Sequence, residues 1–183
     1  MQTSTLIITI VVVLALFVVF LYNSLIRLKN QVKNSYAQID VQLKRRNDLI
    51  PNLISTVKGY MKHEREVLEN ITKARASIMK TSSIEGKSKA SGQLTDALKS
   101  LFAVSENYPQ LKANENFLQL QEEITGTENK ISYSRQHYND MVTLFNTKIQ
   151  KFPNNVFAGI LKFSEEKLFE TPKEERKNVK VEF

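Results

Sequence analysis

The feature that most constrains this chain is its N-terminal apolar run. Leu6 to Leu21 reads LIITIVVVLALFVVFL, broken only by Thr9, and no charged side chain occurs before Arg27. The uncharged stretch Leu6–Ile26 is 21 residues long, which matches the roughly 20 that a helix needs to cross a bilayer core. A helix is required there, because no water is available to satisfy backbone groups. A buried core helix is the first alternative, but in a chain of 183 residues such a helix is rarely apolar all round. A cleavable signal peptide is the second. It wants a basic n-region and a small-residue cleavage site; no Lys or Arg precedes this run, and Phe20-Leu21-Tyr22-Asn23 is bulky. Residues 1–26 are therefore expected to form an uncleaved transmembrane anchor. The Lys/Arg-rich flank is held in the cytoplasm. Arg27, Lys29 and Lys33, then Lys44, Arg45 and Arg46, follow the span against a single Asp40. The expected topology is single-pass, N-terminus outside and body cytoplasmic, with Tyr22 in the interfacial aromatic belt.

The charge balance fits this topology. The chain has 26 Lys and Arg against 19 Asp and Glu, net +7. Arg27 to Lys89 holds 14 basic and 6 acidic residues, net +8, and Ala90 onward is nearly neutral at −1. A basic excess suggests nucleic acid, but this one sits behind an anchor and lacks a platform of stacking aromatics. It reads instead as topology, and as contact with anionic lipid through Arg27, Lys29 and Lys33, where each charge near the leaflet is worth about 1 kcal/mol. No nucleic-acid partner is expected. The absence of cysteine excludes disulfides, thiolate metal sites and a lipid-modified cysteine as anchor. Only 5 Gly and 4 Pro leave little material for the turns of an all-β fold.

Helical periodicity dominates the polar body. One seam runs Val32, Tyr36, Ile39, Leu43, Arg46, Ile50, Leu53/Ile54, Val57, Tyr60/Met61, Glu64, Leu68, Ile71, Arg75, Ile78. Its steps of three and four residues mark a face packed on other helices. Pro51 lies within it. Either Asp48 caps a new helix with Pro51 in its first turn, or one long helix kinks there. Thr81–Ser88 lacks a seam and is expected to be a loop, followed by a helix over about 90–106. Pro109 breaks that helix, because the residue before a proline avoids the α region. A second long seam runs Phe117, Leu120, Ile124, Glu128, Ile131, Arg135, Tyr138, Val142, Phe145, Ile149, Phe152, and Pro153 ends it. The expected organisation is an anchor at 1–26, a helical bundle at 27–155, a short apolar helical segment at 156–171 and a charged tail at 172–183. The fold class is all-α: an N-terminal transmembrane helix followed by an elongated antiparallel four-helix up-and-down bundle.

Five charges, Arg46, Glu64, Arg75, Glu128 and Arg135, stand where a seam calls for apolar side chains. They are expected to form buried ion pairs that fix helix register, with Glu64 opposite Arg135 and Arg75 opposite Glu128. No catalytic constellation accompanies them. His63-Glu64 lacks the second histidine of a zincin, and no Glu-x-x-His pair suits a di-iron site. Gly86-Lys87-Ser88 lacks the upstream glycine and strand of a phosphate loop. No catalytic activity, cofactor, metal or small-molecule substrate is expected.

Several motifs resemble the LemA family of bacterial membrane-anchored proteins. The longest is Gln38-Ile39-Asp40-Val41-Gln42-Leu43-Lys44-Arg45-Arg46-Asn47-Asp48-Leu49-Ile50-Pro51-Asn52-Leu53, followed by Thr56-Val57-Lys58-Gly59-Tyr60 and His63-Glu64. Further on stand Ala74-Arg75-Ala76, Tyr108-Pro109-Gln110-Leu111-Lys112-Ala113-Asn114-Glu115-Asn116-Phe117, and Glu128-Asn129-Lys130-Ile131. Arg135, Tyr138-Asn139, Phe145-Asn146 and Phe152-Pro153 continue the pattern. The resemblance implies a transmembrane helix, a four-helix up-and-down body on the cytoplasmic side of a bacterial inner membrane, and a turn near Asp48 rather than a kink. It brings no mechanism with it. Two functions follow as expectations. One is a non-enzymatic, membrane-anchored scaffold or adaptor that meets a protein partner or further copies of itself. The other is a surface that organises or remodels anionic lipid through the basic first third and the apolar segment after Val156.

Overall fold

A computed structural model of the chain describes residues 2–169; the tail expected at 172–183 lies outside them. The described residues are helical wherever they are regular. Helix α1 spans Gln2–Lys58, α2 Arg65–Lys80, α3 Ile84–Ser105, α4 Pro109–Lys112, α5 Glu115–Gln150 and α6 Asn154–Ile160.

Two expectations about boundaries are corrected. Of the two readings at Pro51 the continuous helix holds, and the turn near Asp48 that the resemblance implied does not: α1 continues through both residues to Lys58, and the chain turns at 59–64 instead. Thr81–Ser88 is mostly not a loop. Ser83 caps α3, its Oγ accepting from the Gly86 amide at 3.1 Å, so Gly86-Lys87-Ser88 lies in the first turns of a helix. A Cβ on Gly86 would stand 2.2 Å from Thr81 Oγ1, which explains the glycine. Pro109 opens α4 and Pro153 stands immediately before α6.

The described residues form two compact units, residues 2–37 with 136–168, and residues 38–135 with Phe169. In the first, Leu21, Leu25 and Val32 of α1 are buried, as are Tyr138, Val142, Phe145 and Ile149 of α5. Tyr36 meets Tyr138 with ring centroids 5.6 Å apart, and Lys148 Nζ donates to Ser24 Oγ at 2.6 Å. The index rises along α5 as it falls along α1, so these stretches run antiparallel. The apolar run is one helix long and apolar enough to cross a membrane. Its side chains face outward, from Leu6 at 63 % exposed to Phe20 at 69 %.

In the second unit, α2 packs on α3. The core holds Ile50, Leu53, Val57 and Met61, then Ile71, Ala74 and Ile78 of α2, Leu94, Leu98 and Leu101 of α3, Leu111 of α4, and Phe117 and Ile124 of α5. Burial along α5 recurs every seventh residue through Phe117, Ile124, Ile131, Tyr138 and Phe145, the period of a face packed against other helices. The last seam position departs from this: Phe152 is 82 % exposed.

Candidate functional site

Arg46 is the chemical centre of the second unit. Its place in the α1 seam, four residues before Ile50 and three after Leu43, turns the guanidinium inward, where it is 0 % exposed. Nη2 donates to Ser91 Oγ at 2.8 Å and to the Ser91 carbonyl at 3.3 Å. Nη1 donates to Thr95 Oγ1 at 3.0 Å and to Glu128 Oε2. The other carboxylate oxygen, Glu128 Oε1, lies 3.1 Å from Thr95 Oγ1, within reach of its hydroxyl proton. One side chain of α1 thus binds α3 and α5 together. Burial pushes the Arg46 pKa down; the Glu128 charge and hydrogen bond oppose that shift, and the nearby Arg135 charge adds to it. Arginine starts so high that Arg46 stays a cation, which leaves Glu128 as the counter-charge for a guanidinium without water.

Arg75 uses a different acceptor. Its Nε donates to the Asn47 carbonyl at 3.1 Å. In an α-helix that carbonyl would take the amide of residue 51, but residue 51 is proline and has no N–H. Pro51 thus frees a main-chain acceptor inside α1, and α2 fills it with a cation.

Glu64 lies at the turn between α1 and α2, where its Oε1 accepts from the Tyr108 hydroxyl at 3.3 Å. Nearby, Asn114 Nδ2 donates to Tyr60 Oη at 3.2 Å, and Asn114 Oδ1 caps α5 by accepting from the Phe117 amide at 3.1 Å. Desolvation, then the Glu64 carboxylate, raises the Tyr108 pKa. The expected pairs Glu64–Arg135 and Arg75–Glu128 are therefore replaced by Glu64–Tyr108, Arg75–Asn47 and Arg46–Glu128. A cleft lined by Gly59, Tyr60, Asn107, Tyr108, Pro109 and Gln110 opens beside this corner.

Of the juxtamembrane bases, Arg27 and Lys33 are exposed. Lys29 lies 3.9 Å from Glu166 and 5.7 Å from the centroid of the Phe163 ring. Lys87, in the sequence resembling a fragment of a phosphate loop, is held by both Asp40 oxygens at 2.7 and 2.8 Å. Among the described residues no three His, Asp or Glu side chains gather as a metal site. The arrangement links α1, α3 and α5 through Arg46 and forms a polar corner at Glu64 and Tyr108. The hydroxyls of Ser91 and Thr95 and the phenol of Tyr108 were not singled out from sequence. Their signal lay in the i, i+4 spacing of the first two and in the motif context of the third.

The sequence matches the LemA family model over residues 35–183. It is 33 % identical over 162 residues to Protein LemA of Metamycoplasma hominis, covering 86 % of this chain and 72 % of that protein. It is 22 % identical over 175 residues to the magnetosome proteins MamQ 1 and MamQ 2 of Paramagnetospirillum magneticum, covering 81 % of this chain and 64 % of theirs. Arg46, Arg75, Glu128, Tyr108 and Pro51, whose bonding the fold explains, all lie within the matched region, and the chain belongs to the LemA family.

Proposed function

We propose that this protein is a non-enzymatic scaffold anchored in the membrane by α1. The N-terminus lies outside, the basic flank and body lie in the cytoplasm, and the body is a four-helix up-and-down bundle. Its surface meets a partner protein or further copies of the chain. The observation that supports this reading is the dual composition of α1. One helix carries a span-length run of outward-facing apolar side chains and, further along, the fully buried Arg46 that joins α3 and α5. The inward charges are engaged in helix-to-helix bonds, so work on a partner falls to the exposed surface.

The test is site-specific photocrosslinking of the full-length protein in cells, with the crosslinker at exposed Gln110 or Tyr133. Discrete adducts that contain one identified protein, or a second copy of the chain, support the scaffold. Absence of any adduct, together with a monomer in detergent, removes it. Protease digestion of sealed vesicles tests the orientation: cleavage of the body from the outer side overturns it.

A further inference from the structure

The end of α5 and all of α6 stand at the level where the apolar helix leaves the membrane. Leu6–Leu21 comprises 16 residues, about 24 Å of helix at ~1.5 Å per residue, which falls short of a bilayer core of about 30 Å. The boundary of the core therefore falls among the next residues, Tyr22–Ile26. Lys148 of α5 binds Ser24 at that level. Because α5 runs antiparallel to α1 here, the chain beyond Lys148 continues toward the membrane. It passes Phe152, forms α6, and returns at Phe163, whose ring lies 6.3 Å from Tyr22 and 6.3 Å from Phe145.

This tip is a fixed structure. The Phe163 amide donates to the Ala158 carbonyl at 2.9 Å, and the Lys162 amide to the Gly159 carbonyl at 3.3 Å. With Lys162 at φ 56°, that is the paired closure of a helix by a left-handed residue. Four of its exposed side chains are large and apolar, Phe152 at 82 %, Ile160 at 71 %, Val156 at 51 % and Leu161 at 39 %, and they stand with exposed Asn155, Lys151 and Lys162. Between Asp140 and Glu165 there is no acidic residue, whereas Lys148, Lys151 and Lys162 fall there. Exposed apolar side chains stand near Lys151 and Lys162 in the chain, and the carboxylate at this end of α5, Glu165, accepts from Gln150 Nε2 at 2.8 Å; apolar groups flanked by lysines match the boundary between acyl chains and anionic headgroups.

We propose that the α5–α6 tip is a second membrane contact, with Phe152, Val156 and Ile160 seated at the acyl boundary and Lys151 and Lys162 at lipid phosphates. The proposal rests on α1 spanning the bilayer and adds a second point of attachment beside the span. Two points on one leaflet would hold the first unit at a set tilt, where a lone helix leaves it free to turn.

The native chain has no cysteine, so single cysteines report on one place each. Full-length protein carrying Ile160→Cys, Phe152→Cys, Leu14→Cys or Gln136→Cys is labelled with an environment-sensitive fluorophore. It is then reconstituted in vesicles containing phosphatidylglycerol and a lipid spin-labelled either near its headgroup, to report on the tip, or at mid-chain, to report on Leu14. Gln136 lies 12 residues, about 18 Å, back along α5 from Lys148 and serves as the aqueous reference. The expected result is strong lipid quenching at Ile160 and Phe152, with iodide access several-fold lower than at Gln136. Changing Lys151 and Lys162 to Gln weakens that quenching. Quenching at Leu14 alone, with iodide reaching Ile160 as freely as Gln136, overturns the tip and leaves the anchor standing. Shielding of Ile160 from iodide without lipid quenching means that protein covers it, and also overturns the proposal. Absence of quenching at Leu14 overturns the anchor itself.

Discussion

The pairing of Pro51 with Arg75 predicts a coupling between two residues that are linked through the Asn47 carbonyl. Pro51→Ala supplies the missing amide for the Asn47 carbonyl, and Arg75→Met keeps the stem of the side chain while removing the donor. A hydrogen bond to a charged group contributes about 1.5–3 kcal/mol. Arg75 is only partly buried, which places its 3.1 Å bond at the low end, about 1.5 kcal/mol. In the native background Arg75→Met should cost about that amount. In the Pro51→Ala background the carbonyl already has a partner, and the same change should cost about 0.5 kcal/mol. The coupling of about 1 kcal/mol exceeds the roughly 0.3–0.5 kcal/mol within which independent sites add. Pro51→Ala alone should also stabilise by less than the roughly 3 kcal/mol that an interior proline ordinarily costs, because it displaces a cation. The measurement is urea unfolding of the full-length protein in detergent, followed by far-ultraviolet circular dichroism, for the four members of the cycle. Strict additivity would refute the account: Asn47 would then owe nothing to the missing amide, and the bond from Arg75 would be incidental.

Four further outcomes are expected. Glu128→Ala strands a guanidinium with no access to water and should cost about 3–5 kcal/mol; adding Arg46→Met should recover part of that loss in the same unfolding assay, and a deeper loss in the double variant would contradict the stranded charge. Ser83→Ala should cost about 1 kcal/mol as a lost N-cap, and Gly86→Ala should lower the melting temperature rather than raise it, since its Cβ meets Thr81. The Tyr108 pKa is raised above 10.0 by desolvation and by Glu64, so this group's contribution to stability is complete below pH 10.0 and falls as pH climbs toward the folded value. The ultraviolet titration difference between native and Tyr108→Phe protein should show a late phenolate that Glu64→Gln brings forward, and an unchanged curve would refute the contact.

Long seams made much of the fold legible. The alternation that placed Ile39, Leu43, Ile50, Leu53 and Val57 on one face placed them in the interior, and the seven-residue recurrence from Phe117 to Phe145 did the same for α5. Positions within a seam say which side chains point inward, but not which of them meet. That is why the partners of Glu64, Arg75 and Glu128 came out differently: the offset between helices depends on turn lengths, and the turn at 59–64 falls a dozen residues later than Asp48 suggested. Phe152 fitted the seam by spacing, yet α5 ends at Gln150 and the ring faces outward. Pro51 left two readings open, a turn or one continuous helix, and the helix is continuous; the spacing could not show that the acceptor the proline releases is used by another helix.

The reading of residues 81–88 as a loop points to a general feature of this interior. Ser88, Ser91, Thr95 and Ser105 are buried on the inward stripe of α3, alongside Leu94, Leu98 and Leu101. A hydrophobic template registers only the leucines and therefore starts the helix late. The hydroxyls are part of the same face, placed where the charge of Arg46 arrives. A fully apolar α3 would leave the guanidinium only Glu128 and the carbonyl of residue 91 as acceptors, without the two hydroxyl oxygens that now accept from it. Small hydroxyl residues add acceptors without the bulk that would hold the helices apart, and the single proton of Thr95 has two acceptors in reach, the Ser91 carbonyl one turn back at 3.0 Å and Glu128 Oε1 at 3.1 Å. The cation in α1 and the serine-rich start of α3 thus depend on each other. Replacing Ser91 with Ala should therefore destabilise the native chain more than it does a chain already carrying Arg46→Met, and equal losses in the two backgrounds would show that the hydroxyl serves α3 alone.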